Sequence, residues 1–335
     1  MTSCPNFDSS KEKNKISCID EITDREKYMT VCIAVISEAN TPSPKIVFAS
    51  DKLISTWINY ESGVSKIKLL TNYIGVMIAS DDTLTSADLI SKVENTVIKF
   101  TSTGKKITVE KVVELLSERC KERLQNERER KILSKYGLTY DVFLKSSSDL
   151  SKDLLNEIIA DFRNFKYDFE ADFIVLGIDS KPHIFTINSK GEFQSSDFVG
   201  YAIIGSGKVM AFPEITKYTY HPNTPLAEAI VRVYNAKKAA QRVGDVGGQT
   251  DLVVLHVTNG NNVGVWVADQ KATDILEKGI EQTKKLEIQS TISVMKELST
   301  AIFAAPQATP QPQAVPPQPP TQPVERKQSK RKRAI

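Results

Sequence analysis

The pattern of apolar and polar positions changes abruptly at Thr30. Residues 1 to 28 are polar and without period, which predicts an extension rather than a packed element. TVCIAVI, from Thr30, is a β-branched run read as a strand. NTPSP is a turn-rich loop, and KIVFASD is a second strand, so the two form a hairpin. SKIKLLT and YIGVMIAS give a second pair of short strands. In DDTLTSADLISKVENTVIKF, Leu84, Ala87, Leu89 or Ile90, Val93, Val97 and Ile98 recur at near-helical spacing, with Thr85 or Ser86 as its cap. TVEKVVELLSERCKERLQ is a second amphipathic helix. Residues 127 to 170 are charged, with a weaker helical period, and read as an insertion.

Strands resume with ADFIVLGID, KPHIFTIN and FVGYAIIG. LAEAIVRVYNAKKAAQR is another helix, and TDLVVLHV and NVGVWVAD are two more strands. Blocks of strands separated from blocks of helices predict two packed sheets with helices on their outer faces, an α+β class rather than a doubly wound parallel sheet. Two polar helices are expected over 270–305. From Pro306 the chain is Pro/Gln-rich and of low complexity, and it reads as a disordered tail over 306–335. That divides the chain into an extension or propeptide (1–29), a main domain (30–269), C-terminal helices (270–305) and the tail.

Composition narrows the classes. The net charge is +3, too small for a chain built as a polycation for nucleic acid, and the excess is local to ERKQSKRKRAI at the end. Such a basic Pro-rich tail is a docking candidate for a partner. The four cysteines form no CxxC pair and the three histidines are scattered, so neither a disulfide framework nor a zinc site is expected. No apolar run of membrane-spanning length and no secretory signal are seen, which predicts a cytoplasmic protein without membrane contact. Neither a GxGxxG fingerprint nor a GxxxxGK[ST] loop occurs, and no cofactor is expected.

Several short stretches, in order, resemble the β-subunits of proteasomes. MTVCIAV at Met29 is similar to the start of the bacterial proteasome-like peptidases of the Anbu type. IVFASDK resembles the family's second strand, which ends in Ala-x-acidic. SKIKLLTNYIGVMIAS resembles the stretch holding the family's lysine, ADFIVLGIDSKPHIFTIN its central hairpin, IIGSG its Gly-Ser-Gly turn, and DVGGQTDLVVL its Gly-Gly-x-x-Asp segment. The similarity spans about 240 residues and leaves out the extension, the 127–170 insertion and the tail. It implies the four-layer αββα sandwich of the N-terminal-nucleophile hydrolases.

The resemblance also implies a site. Thr30 stands where the family has its nucleophile, whose hydroxyl attacks a carbonyl while its own α-amine takes the proton. An α-amine titrates at about 7.7–8.0, suited to that shuttle. Thr30 must then be the first residue, either after cleavage or after a start at Met29 with removal of that methionine. The family's glycine before the nucleophile is replaced by Met29, which favours the alternative start. Lys66 matches the family's lysine. Lys68 competes with it, since strand alternation puts both on one face; alignment through Gly75 selects Lys66. Asp51 matches the acid that orients the lysine, and Ser206 the assisting serine. Asp245 is placed near the family's Asp/Ser pair, although strict alignment puts Val243 and Val246 there; a simple loop aspartate is the other reading. Ser80 stands where a glycine N–H stabilises the oxyanion, and Ile78 where the specificity pocket is lined. No metal is implied.

The function expected on this basis is a threonine-type endopeptidase acting on polypeptide within a ring or spiral homo-oligomer, with an unfoldase or adaptor engaging the C-terminal tail. A non-catalytic scaffold subunit of such an assembly, and a small-amide hydrolase on the same fold, are the alternatives.

Overall fold

The computed structural model of the chain describes residues 30–54, 60–61, 65–242, 246–258 and 262–303, with backbone alone at 53–54, 60–61 and 298–303. The architecture is mixed α+β. One five-stranded antiparallel sheet has the order β10-β1-β2-β11-β12, from Tyr201–Ile204, Cys32–Ser37, Lys45–Asp51, Thr250–Val257 and Val263–Val267. A second has the order β5-β6-β7-β8-β9, from Ile67–Leu69, Ile74–Ser80, Ala171–Ile178, Pro182–Asn188 and Phe193–Ser195. Two short strands, β3 (Leu53–Ile54) and β4 (Tyr60–Glu61), pair with each other. The described helices are α1 (Thr83–Thr101), α2 (Val109–Lys131), α3 (Tyr140–Ser146), α4 (Lys152–Asn164), α5 (Lys208–Thr216), α6 (Leu226–Ala240) and α7 (Gln270–Phe303), with a 3-10 turn at Leu133–Tyr136.

The unbroken apolar reading of the central strands has a direct cause: both of their faces are covered. On β1, Ile33 and Val35 pack with Ala211 and Ile215 of α5 and Val233 and Tyr234 of α6. The alternate residues Cys32, Ala34 and Ile36 pack instead with Met77 of β6 and Ile174 and Leu176 of β7, between the sheets. The second sheet repeats the scheme. Val76, Phe173 and Val175 point away from the first sheet, onto Leu89 and Val93 of α1 and Val112 and Leu116 of α2. A separate small cluster around Ile132, Leu133 and Ile158 gives the 127–170 region, with α3 and α4, its own core.

Some elements differ from the sequence reading. Helix α1 is capped by Asp82, whose carboxylate accepts from the Thr85 N–H, so Thr85 is the capped residue and not the cap. Helix α5 carries Pro213 in its interior and has no clean apolar period, so nothing in the pattern announced it. Strand β9 is short, exposed and at a sheet edge, where alternation carries no signal. The two helices expected after Asp269 are one continuous 34-residue helix. Gly279 lies within it, and a lone glycine costs only about 1 kcal/mol in a helix and does not stop it.

The chain divides into two units, residues 1–280 and 281–335. In the first, Ile280 at the end of its part of α7 is buried with α6 residues, and Glu277 accepts a hydrogen bond from Tyr234. In the second, the described residues continue the helix with Leu286, Ile288, Ile292 and Met295 exposed. No described helix is long and apolar enough to cross a membrane.

Candidate active site

Three strand ends of the first sheet meet at one edge. Cys32 of β1 lies opposite Ser50 of β2 and Ile204 of β10, so the residues just outside these pairs, Thr30, Asp51 and Ser206, are neighbours by register. Gly205 makes the approach possible. Its φ is +91°, and a Cβ there would come within 2.3 Å of the Thr30 carbonyl oxygen. The next glycine, Gly207, donates its N–H to that same oxygen at 3.1 Å.

Asp51 is the hub of the cluster. Its side chain is fully buried, so its charge requires donors. Oδ1 accepts from the Thr30 hydroxyl at 2.7 Å and from the Val31 N–H at 3.0 Å. Oδ2 accepts from the Gly247 N–H at 3.3 Å. Lys66 Nζ donates to both oxygens at 3.0 and 2.9 Å, and also to Thr30 Oγ1. The threonine hydroxyl is therefore held between a cation and a carboxylate, and Thr30 is only 3% exposed. The Thr30 N–H donates to Ser206 Oγ at 3.3 Å.

The ambiguity between the two lysines is resolved by geometry. Lys66 stands just before β5 and turns into the cluster. Lys68, two residues on, forms an exposed ion pair with Glu94 of α1 at 3.0 Å.

Ser80 ends β6. Its hydroxyl donates within the turn, to the Asp82 carbonyl at 3.0 Å. Its N–H is the informative group. The Ile78 N–H donates to Lys66 O, and the Asp81 N–H to Glu170 O on the other side. Alternation along an antiparallel strand thus turns the Ser80 N–H toward the β5 edge, where Lys66 enters, and away from β7. Ile78 is half-buried against the helix-side apolar cluster, and its carbonyl accepts from the Cys32 thiol at 3.3 Å. Asp245 lies outside the described residues.

Three neighbours of the cluster escaped the sequence reading. Lys237 of α6 is fully buried and donates to the carbonyls of Gly247 and Gly248 at 2.8 Å each. Gln241 donates to the same two carbonyls. Together they fix the loop whose Gly247 N–H reaches Asp51. Lys237 did carry a signal: it stands four residues after Val233 and seven after Ile230, on the apolar stripe of its helix. Cys32 is the third. Burial pushes its thiol up to about 12, with Asp51 adding to this and Lys66 opposing it. A thiol so disposed stays protonated at neutral pH and is no competing nucleophile.

The assembly can hold a hydroxyl oxygen beside a cation, accept its proton on a neighbouring base, and offer a backbone N–H nearby. A comparison with protein-family models found no match, and a comparison with curated proteins found no significant match.

Proposed function

We propose that the chain is a hydrolase of the N-terminal-nucleophile type, with Thr30 as nucleophile and peptide bonds as substrate. The observation that carries this reading is the buried Thr30–Asp51–Lys66 cluster, in which a threonine at the start of a strand has its hydroxyl on a lysine ammonium and a carboxylate. The three apolar clusters, helix on sheet, sheet on sheet and sheet on helix, are those that a four-layer αββα sandwich requires. They support the resemblance to proteasome β-subunits and Anbu-type peptidases.

The mechanism follows from the groups present. With Thr30 as the first residue, its α-amine is free and takes the hydroxyl proton as Oγ1 attacks the carbonyl carbon. Ser206 Oγ, 3.3 Å from the nitrogen, steadies that amine and relays its proton. The Lys66 ammonium favours the alkoxide-like oxygen, and Asp51 keeps the lysine charged and in place. The Ser80 N–H receives the developing oxyanion. The same amine then returns the proton to the leaving nitrogen, and water releases the acyl group from Thr30.

Polypeptide is the proposed substrate and a ring or spiral of identical chains the proposed setting, with an unfoldase or adaptor at the basic Pro-rich tail. One observation favours a second reading, a scaffold subunit without activity. In the full chain 29 residues precede Thr30, so its nitrogen is an amide that cannot serve as base. Thr30→Ala decides whether this residue does chemistry. Hydrolysis of fluorogenic peptides should vanish with the fold retained by circular dichroism, whereas normal turnover by the variant removes Thr30 from the mechanism.

A further inference from the structure

The imidazole of His183 presents a feature that the active site does not absorb. It stands on β8, with its side chain 4% exposed, on the face covered by α2. Its cross-strand partner is Gly177. A Cβ at Gly177 would meet Val109 of α2 at 2.8 Å and the Tyr73 carbonyl at 2.6 Å. The missing side chain lets the N-terminus of α2 settle directly onto the sheet beside the histidine. Three carboxylates close around it. Asp197, from the segment between β9 and β10, lies 2.7 Å from Nδ1 and also accepts from the Ile184 N–H at 2.9 Å. Glu110, in the first turn of α2, has Oε1 3.4 Å from Nε2. Asp179, in the β7–β8 turn, has Oδ1 3.5 Å from Nε2. Asp179 is itself fixed: Oδ2 accepts from the Val109 N–H at 2.9 Å, and Oδ1 from the N–H and hydroxyl of Ser180 at 2.5 and 3.2 Å.

Three carboxylates around one imidazole leave an excess of negative charge even with the ring protonated, and a bound cation would balance it. Nδ1–H donates to Asp197, which turns Nε2 toward the other two carboxylates. Nε2 thus faces one oxygen each of Glu110 and Asp179, so three groups able to ligate a metal converge on one point. A single charge-assisted hydrogen bond from Nε2 has a length of about 2.7–2.9 Å. Here the two distances are nearly equal and both too long. They match the edge of a tetrahedron instead: with metal–ligand bonds of about 2.0–2.1 Å, ligand atoms lie about 3.3–3.4 Å apart. The ligand atoms of Glu110, Asp179 and His183 all lie within 4.8 Å of one another. A histidine whose other nitrogen is held by a carboxylate is the usual second-shell arrangement of a metal-bound imidazole.

We infer that Glu110, Asp179 and His183 bind a divalent transition-metal ion, zinc being the best fit, with Asp197 orienting the imidazole. Two carboxylates balance the charge of the ion, and imidazole among the ligands selects zinc over calcium or magnesium. The half-exposed Glu110 leaves the fourth position to water. The site is remote from Thr30. Ser80 pairs with Ala171 at one end of β6 and β7, and Ile74 with Gly177 at the other, so the metal ties the far end of the sheet. It joins the start of α2, the β7–β8 turn and the segment before β10. The ligands come from two distant stretches of chain, Glu110 and the Asp179–His183 segment, with Asp197 from a third, which is why no zinc spacing shows in the sequence.

Metal-free full-length protein should be titrated with zinc chloride by calorimetry, with cobalt as the spectroscopic probe. The expected result is one zinc per chain, a visible cobalt spectrum of tetrahedral type, and a Tm raised by about 5 °C at roughly 100-fold excess over Kd. His183→Gln removes a buried group and is open to misfolding, so Glu110→Gln and Asp197→Asn carry the test. Glu110→Gln should weaken zinc at least tenfold with an unchanged far-ultraviolet spectrum, and Asp197→Asn should weaken it by roughly 10–100-fold. Absence of zinc binding by the wild type, binding by both variants as tight as by the wild type, or displacement of zinc by equimolar calcium or magnesium would each overturn the assignment.

Discussion

At the scale of single residues, the cluster around Asp51 divides into positions that the sequence announces and positions that it hides. Thr30, Asp51, Lys66 and Ser206 stand in short stretches whose order resembles a known family, and the structure brings all four together. The lysines could not be separated by alternation, because Lys66 and Lys68 share a face; what separates them is that β5 begins only at Ile67, leaving Lys66 free to turn toward Asp51. On the proposed mechanism, Lys66→Ala should therefore lower peptide hydrolysis by about 100-fold or more, since it removes the cation beside the Thr30 hydroxyl. Lys68→Ala loses only an exposed ion pair and should keep nearly the wild-type rate. Steady-state kinetics on the two variants checks the ranking, and the reverse order would shift the register of the site by two residues. Lys237 shows why the rest was illegible. A lysine next to another lysine on a helix reads as solvated, and only its place on the apolar stripe says otherwise. Its partners, two loop carbonyls, have no side-chain signature at all.

At the scale of elements, the long apolar strands were readable because both of their faces are buried, so no register was needed to recognise them. Short or irregular elements were not. Helix α5 holds a proline, β9 is an exposed edge, and α7 continues unbroken where two helices were expected. Capping was misplaced by a few residues because DDTLTS offers several polar side chains, and only the backbone tells which one sits outside the first turn. Asp82→Ala should cost about 1 kcal/mol, a fall in Tm of about 2–4 °C. The loss should depend on pH. Burial works to raise the Asp82 carboxyl, but hydrogen bonds from the Thr85 hydroxyl and N–H, with the Arg123 charge, hold it below the usual value. A carboxylate lowered on folding contributes stability above its unfolded pKa of about 3.9 and loses it as pH falls through the folded value. The difference in Tm between wild type and Asp82→Ala should thus be full at neutral pH and shrink below about pH 4. A difference that persists unchanged at pH 3 would remove the carboxylate from the cap.

At the scale of the first unit, the two sheets share one apolar layer, and that layer sets where Thr30 and Lys66 stand relative to each other, since Thr30 precedes β1 of one sheet and Lys66 precedes β5 of the other. Phe48 lies fully buried in it. Phe48→Ala should cost about 3–5 kcal/mol by leaving a cavity between the sheets, measurable by urea unfolding. A cost below about 1 kcal/mol would mean that the layer packs otherwise than described. The central claim is that the α-amine of Thr30 is the base for its own hydroxyl. The direct measurement compares peptide hydrolysis by the full chain with that by a chain started at Met29, the N-terminus of each being read by mass spectrometry. The account predicts activity only where Thr30 is the first residue. Thr30-dependent hydrolysis by protein that still carries residues 1–29 would contradict it.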